Sequence, residues 1–155
     1  MTRDAKGGSE IVVHVADEQN ALSIDASYII DVVRNTLQSE GVERADISVA
    51  LIDDVTMHEL NRRHLDHDYP TDVLSFLLEE SDDRIEGEIV ISTDTAIREG
   101  TAYGWGGVEE ATLYLVHGLL HLCGYDDHSE EDLREMRERE RSVLKNWSLS
   151  PHYDG

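Results

Sequence analysis

Two histidines four residues apart, His117 and His121, most constrain what this chain can fold into. They lie in a mostly apolar run that begins at Ala111, and a run of this length predicts a helix. At about 100° per residue, positions i and i+4 lie one above the other on one helical face. Because buried imidazoles need partners, this spacing predicts a metal site on a core helix.

The residues that follow this run offer further ligands. Gly124 can end the helix in a left-handed conformation, so the chain turns back toward the two histidines. The turn carries three residues that can bind a metal, Asp126, Asp127 and His128. Two nitrogen ligands and a third from this turn suit zinc, and we expect one ion per chain.

The same stretch argues against two other kinds of active site. The residue after the first histidine is Gly118, so the glutamate base of the common zinc-protease motif is missing. Cys123 as a nucleophile with His121 as its base is also disfavoured, because residues two apart on a helix point about 200° apart. Any general base must therefore come from elsewhere.

Length and cysteine content indicate one domain in a reducing compartment. The 155 residues, 39% of them hydrophobic, can build one core but hardly two. One cysteine cannot form an intramolecular disulfide. The N-terminus lacks the apolar segment of a signal peptide, and no apolar run is long enough to span a bilayer. We therefore expect a cytoplasmic protein without a membrane partner.

The formal net charge of −21 argues against broad, sequence-independent binding of nucleic acid. Such binding depends on lysines and arginines that replace counterions on phosphates. A nucleic-acid contact would have to be local, and Arg62 and Arg63 are one basic spot that could make it. The arginines between 134 and 141 alternate with glutamates and are typical of a solvated helix face.

The pattern of apolar residues predicts four strands and five helices. The strands are expected at 11–15, 46–52, 73–78 and 87–92, with an acidic loop at 79–83. The helices are expected at about 23–39, 55–65, 93–104, 109–123 and 129–147. Their expected N-caps are Ser23, Asp53 or Asp54, Thr93 or Asp94, and Ser129.

These elements predict an α+β fold, with a mixed four-stranded sheet packed against about five helices and the zinc site on a buried helix. We expect a flexible N-terminus over residues 1–9, a single metal-binding domain over 10–147, and a tail over 148–155.

Three stretches, in this order and spacing, carry a resemblance to a known family. The first is Leu60-Asn61 followed by Pro-Thr-Asp-Val-Leu-Ser-Phe at 70–76, the second is Gly-Glu-Ile-Val-Ile-Ser at 87–92, and the third is 117–128 with the acidic helix after it. Together they resemble the YbeY family of bacterial rRNA-maturation endoribonucleases. The resemblance covers roughly residues 46 to 145.

The resemblance implies a zinc-dependent endoribonuclease specific for single-stranded RNA. It further implies a role in maturation of the 3′ end of 16S rRNA and in ribosome quality control, with RNA and the small ribosomal subunit as partners. By position, the first two metal ligands are His117 and His121. The third position of the family falls on Asp127, whereas His128 keeps the usual ligand type one residue later, so both stay open.

One departure from the family concerns catalysis. The family usually has an arginine five residues before the Pro-Thr pair, where this chain has Leu65. An arginine there would stabilise the negative charge of a phosphoryl transition state, which leucine cannot do. Arg62, Arg63, His64 or His67 are the candidate substitutes. Asp126, or whichever of the two candidate third ligands does not bind metal, is the candidate to orient a water or accept its proton.

Two other functions compete with the ribonuclease. The first is a non-catalytic ribosome assembly factor in which zinc only braces the helix and turn. A structural zinc site has four protein ligands, whereas a catalytic one keeps a position open for water. The second is a metal hydrolase of a non-RNA ester or amide. The sequence does not determine the oligomeric state.

Overall fold

A mixed four-stranded sheet forms the centre of the fold in the computed structural model, which describes residues 10–62, 72–81 and 83–151. The elements in chain order are β1 (Glu10–Asp17), α1 (Ala26–Ser39), β2 (Arg44–Ile52), α2 (Asp54–Leu60), β3 (Val73–Ser81), β4 (Arg84–Ser92), α3 (Thr93–Ala102), α4 (Gly107–Leu122) and α5 (Glu130–Leu144), followed by a 3-10 turn at Lys145–Trp147. The predicted α+β class, four-stranded sheet and five helices are confirmed.

The strand order is β1-β2-β4-β3. β2 pairs in parallel with β1 and with β4, and β3 pairs antiparallel with β4. Side chains alternate between the two faces of the sheet, so the central strands β2 and β4 contribute to two separate apolar clusters. The larger cluster includes Ile47, Ile89 and Leu119, and the smaller one consists of Ile52, Met57, Leu74 and Val90. The larger cluster contains residues of α1, α4 and α5, and the smaller one contains Met57 of α2.

Two glycines allow α4 to lie close to the sheet. A Cβ at Gly118 would lie 2.8 Å from Ser75 Oγ and 3.2 Å from Ile89 Cδ1. A Cβ at Gly87 on β4 would lie 2.8 Å from Leu122 Cδ1. The residue after the first histidine is therefore a glycine because strands β3 and β4 occupy the space of a side chain.

Three details of the predicted elements were wrong. The loop expected at 79–83 belongs largely to the sheet, since the β3–β4 ladder continues to Ser81 and Arg84. Charged residues are tolerated there because β3 lies at the sheet edge, where side chains face solvent. Asp25, rather than Ser23, precedes α1, without a capping hydrogen bond from its side chain. Ser92, rather than Thr93 or Asp94, caps α3.

The other predicted caps are confirmed. Asp53 accepts a hydrogen bond from the Thr56 amide at 2.8 Å, and Ser129 accepts one from the Asp132 amide at 3.0 Å. Within the described part of the chain, no helix is long and apolar enough to cross a membrane. The expected flexible segment 1–9 lies outside the described residues, and the domain limits 10–147 stay a prediction.

We expect Gly118→Val to destabilise the metal-free protein by about 1–3 kcal/mol, because the added atoms overpack the contact between α4 and the sheet. Urea unfolding measures this loss. Adding Ser75→Ala to the same variant should recover part of it, since Ser75 Oγ is the nearest obstructing atom. A Gly118→Val protein as stable as the parent would contradict this close packing.

Candidate metal centre

His117 and His121 lie on the last two turns of α4, at the edge of its buried surface. Their ring centroids are 4.7 Å apart and the rings are nearly perpendicular, at 84°. Asp127 Oδ2 lies 4.0 Å from His117 Nε2 and 3.9 Å from His121 Nε2. The three residues each offer one ligand atom, and these atoms lie within 4.8 Å of one another.

A Schellman motif at the end of α4 directs the chain toward this cluster. The Tyr125 amide donates to the Leu120 carbonyl and the Gly124 amide donates to the His121 carbonyl, both at 3.0 Å. Gly124 has a φ of +103°, which disfavours any residue with a Cβ. The predicted left-handed exit from the helix is thus confirmed.

Each histidine uses Nδ1 for a hydrogen bond outside the cluster. His117 Nδ1 lies 2.5 Å from Glu140 Oε2, and His121 Nδ1 lies 3.1 Å from the Tyr125 carbonyl oxygen. A carboxylate and a carbonyl only accept, so both Nδ1 atoms carry the proton. In the neutral rings, both Nε2 atoms are then lone-pair donors that face Asp127.

This donor set fits a divalent metal ion. Ligand atoms about 2.0–2.2 Å from a tetrahedral zinc ion are separated by roughly 3.4 Å, close to the separations between each Nε2 and Asp127 Oδ2. Two neutral imidazoles and one carboxylate are also a donor set that zinc and other divalent metals accept. The described residues therefore offer three candidate ligands, from one helix and the turn after it.

Glu140 was missed in the sequence, where the charged helix that carries it suggested a solvated face. Its side chain is only 1% exposed and contacts His117, with Arg137 Nη1 3.8 Å from its other oxygen. The signal was present, because Glu140 has helical spacing from the buried residues Met136 and Val143. A glutamate on the apolar stripe of a helix requires a buried partner.

Of the other candidates in the turn, His128 lies in solvent and Asp126 is about as exposed as Asp127. His128 is 84% exposed, and its Nδ1 pairs with Asp126 Oδ2 at 3.0 Å. Asp126 Oδ1 accepts a hydrogen bond from the Asp127 amide at 2.7 Å. The structure thus brings Asp127 to the two histidines, while His128 joins Asp126 and Asp127 in an exposed group beside them.

Of the predicted basic residues, Arg62 belongs to the described part of the chain and follows the end of α2 by two residues. Arg62 is exposed, and its Nη2 lies 2.9 Å from Glu59 Oε1. Arg63, His64, Leu65 and His67 lie outside the described residues. The expectation that one of these basic residues replaces the family arginine therefore stays a prediction.

Two further titratable side chains, those of Asp72 and Cys123, have raised pKa values. Burial raises the pKa of the Asp72 carboxyl, and the Val73 amide and the nearby His117 offset this only in part. Asp72 Oδ1 accepts a hydrogen bond from the Val73 amide at 2.7 Å. Burial also raises the pKa of the Cys123 thiol to about 12, so this cysteine is a poor nucleophile.

This fold and cluster define a small α+β protein with a candidate mononuclear metal centre at the end of a buried helix. The family model described as "Endoribonuclease YbeY" matches residues 14–148. The chain belongs to the YbeY family of endoribonucleases, as the three sequence stretches predicted, and the family name describes an RNA-cleaving hydrolase.

Curated relatives support the same assignment. The "Endoribonuclease YbeY" of Salinibacter ruber is 40% identical over 129 residues, which cover 78% of this chain and 82% of the relative. The protein of the same name from Carboxydothermus hydrogenoformans is 36% identical over 137 residues, covering 86% and 95%. That of Rhodopirellula baltica is 44% identical over 108 residues, which are 68% of this chain and 56% of the relative.

A solved structure shares the fold. The solution structure of TM1509 from Thermotoga maritima aligns with a TM-score of 0.61, over 93% of this chain and 97% of that one. At 23% sequence identity, this similarity is evidence for the fold alone.

We expect Asp72→Asn to stabilise the chelator-treated protein at pH 7. Because the folded-state pKa of Asp72 is raised above its unfolded value, ionisation of this carboxyl opposes folding, and the cost grows as pH rises through that window. Urea unfolding measures the gain in the free energy of unfolding at pH 7 and at about pH 4.5, which is still above the usual pKa of aspartate near 3.9. The gain should be larger at pH 7. Asp31→Asn, at an exposed position on α1, is the matched control. A larger gain in the free energy of unfolding of Asp72→Asn at the acidic pH than at pH 7 would contradict this reasoning.

Proposed function

We propose that this chain is a zinc-dependent endoribonuclease that cuts single-stranded RNA, matures the 3′ end of 16S rRNA and takes part in ribosome quality control. The observation that carries the proposal is the convergence of His117 Nε2, His121 Nε2 and Asp127 Oδ2 in a chain of the YbeY family. RNA as substrate and the small ribosomal subunit as partner follow from the family resemblance. We also propose a cytoplasmic location, since a single cysteine cannot form an intramolecular disulfide and suits a reducing compartment.

We assign the three metal ligands to His117, His121 and Asp127. Asp127 Oδ2 is about equally far from both Nε2 atoms, whereas the exposed His128 pairs with Asp126 instead. Three protein ligands leave one coordination position for water, which distinguishes a catalytic zinc site from a structural one. When bound there, zinc would supply a water with a pKa of about 7 and a positive charge for a phosphate oxygen.

We assign the proton acceptor to Asp126. Its carboxylate lies next to the third ligand in an exposed turn, within reach of solvent and of an RNA strand. Its partner His128 can share the proton, since their side-chain atoms are 3.0 Å apart. Hydrolysis would then form a bond from the water oxygen to phosphorus and break the bond from phosphorus to the leaving oxygen. One proton would pass from the water to this pair and from the pair to the leaving oxygen.

Arg62 and Arg63 are proposed to bind the phosphate that is cut. A phosphoryl transition state gains negative charge, and Leu65 in the usual arginine position cannot compensate it. Arg62 lies at the end of α2, immediately before the segment in which the family usually has its arginine. Because the whole chain is strongly acidic, a local pair of arginines would also help to retain RNA.

The competing assembly factor with a structural zinc would require a closed site. Among the described residues, the cluster around the two histidines contains one further ligand, Asp127, and not His128 as well. Three protein ligands leave a position open for water, which favours a hydrolase over an assembly factor with a structural zinc. A hydrolase of a non-RNA ester or amide would use the same open position, so the substrate assay must include RNA directly.

We expect His117→Ala, His121→Ala and Asp127→Asn each to lose stoichiometric zinc and to lower RNA cleavage at least 100-fold, because each removes a ligand. Metal content by mass spectrometry and cleavage of a labelled single-stranded RNA, measured on the same samples, test this. His128→Ala is the matched control and should keep its zinc.

Three results would contradict the proposal in different ways. Zinc retained in His121→Ala would refute the ligand assignment. If His128→Ala lost its zinc and Asp127→Asn retained it, the third ligand would be His128 and not Asp127. Bound zinc in the parent protein without cleavage of RNA, before and after chelation and zinc restoration, would favour the bracing role.

A further inference from the structure

We infer that Glu140 is a positioning residue of the metal centre: it holds His117 with its proton on Nδ1 and thereby presents Nε2 as the ligand atom. This inference rests on the proposed zinc site. It adds a residue from α5 to a centre whose ligands all come from α4 and the turn after it.

The contact between Glu140 and His117 is short and shielded from water. Glu140 Oε2 lies 2.5 Å from His117 Nδ1, and the glutamate side chain is 1% exposed. Arg137 Nη1 lies 3.8 Å from the other carboxylate oxygen, on the same helix. A buried carboxylate without a compensating partner would be unfavourable, so the imidazole and the carboxylate hold each other in place.

The tautomer of His117 decides which nitrogen can bind a metal. A neutral imidazole carries one proton, and the ionised Glu140 only accepts a hydrogen bond. The proton therefore lies on Nδ1 and the lone pair on Nε2, which faces Asp127. An acceptor behind the ring also increases the basicity of the ligand nitrogen, as in other carboxylate–histidine–zinc arrangements.

The two histidines are not equivalent in this respect. His121 Nδ1 donates to the neutral carbonyl oxygen of Tyr125 at 3.1 Å, whereas His117 Nδ1 has an ionised partner at 2.5 Å. A hydrogen bond to an ionised group is roughly twice as strong as one between neutral groups. We therefore expect Glu140 to contribute more to metal affinity than the Tyr125 carbonyl that is bonded to His121 Nδ1.

Zinc affinity of Glu140→Gln tests the inference, measured by competition with a chromophoric chelator. We expect an affinity 10- to 100-fold below that of the parent, together with a changed absorption spectrum of the Co²⁺-substituted protein. Glu138→Gln is the matched control, because it removes the same charge from an exposed position two residues away on α5. Thermal unfolding of the metal-free proteins separates an effect on folding from an effect on the site.

The outcomes distinguish this inference from the zinc site itself. A folded Glu140→Gln protein with parental zinc affinity and Co²⁺ spectrum would overturn the role of Glu140 and leave the site intact. A parent protein that binds neither metal would overturn both. If Glu140→Gln fails to fold, Glu140→Asp replaces it, since its shorter side chain keeps the charge but withdraws it from His117. Parental affinity in that variant would overturn the inference equally.

Discussion

Burial of α4 is the constraint on which the rest of the structure depends. The helix lies among residues of α1, α5 and the sheet, and eleven of its sixteen residues are buried. Any polar atom on such a helix needs a partner from the surrounding elements. The two histidines meet this demand through Nδ1, one with a carboxylate from α5 and the other with a carbonyl from the turn. Their Nε2 atoms then face the same point.

The turn after α4 is held by contacts that reach across the fold. Glu40, just after α1, accepts a hydrogen bond from Tyr125 Oη at 2.9 Å and one from Arg139 Nε at 2.7 Å. One carboxylate therefore ties the turn with the third candidate ligand to α5, which carries Glu140. Because these contacts do not require a metal, the candidate ligands can be positioned before the ion binds, which reduces the cost of ordering them.

The strong negative charge of the chain bears on how it would act on RNA. The candidate ligands and Asp126 lie in an acidic neighbourhood, so attraction of a phosphate would depend on the bound metal and on the few local arginines. Such a site would favour a substrate delivered by a larger assembly over free capture of any RNA. This agrees with the proposed role at the small ribosomal subunit.

Local patterns predicted much of the fold and part of the candidate site. Helical periodicity placed His117 and His121 on one face, and the glycine after α4 predicted the turn, because both effects depend on neighbouring residues only. The edge strand was predicted at 73–78, but its extension to Ser81 was missed, since the charged residues there are typical of a loop until the pairing with β4 is known.

By itself, the sequence determined the α+β class, the core helix with two candidate metal-binding histidines, and a turn in which Asp127 and His128 were equally acceptable as a third ligand. Only the tertiary structure shows which of the two lies beside the histidines, because the turn and its link to Glu40 bring Asp127 to them and leave His128 in solvent. It also revealed Glu140, which is 23 residues from His117. The physical reason is that a contact between two helices depends on how they pack, and no local pattern in either one specifies it.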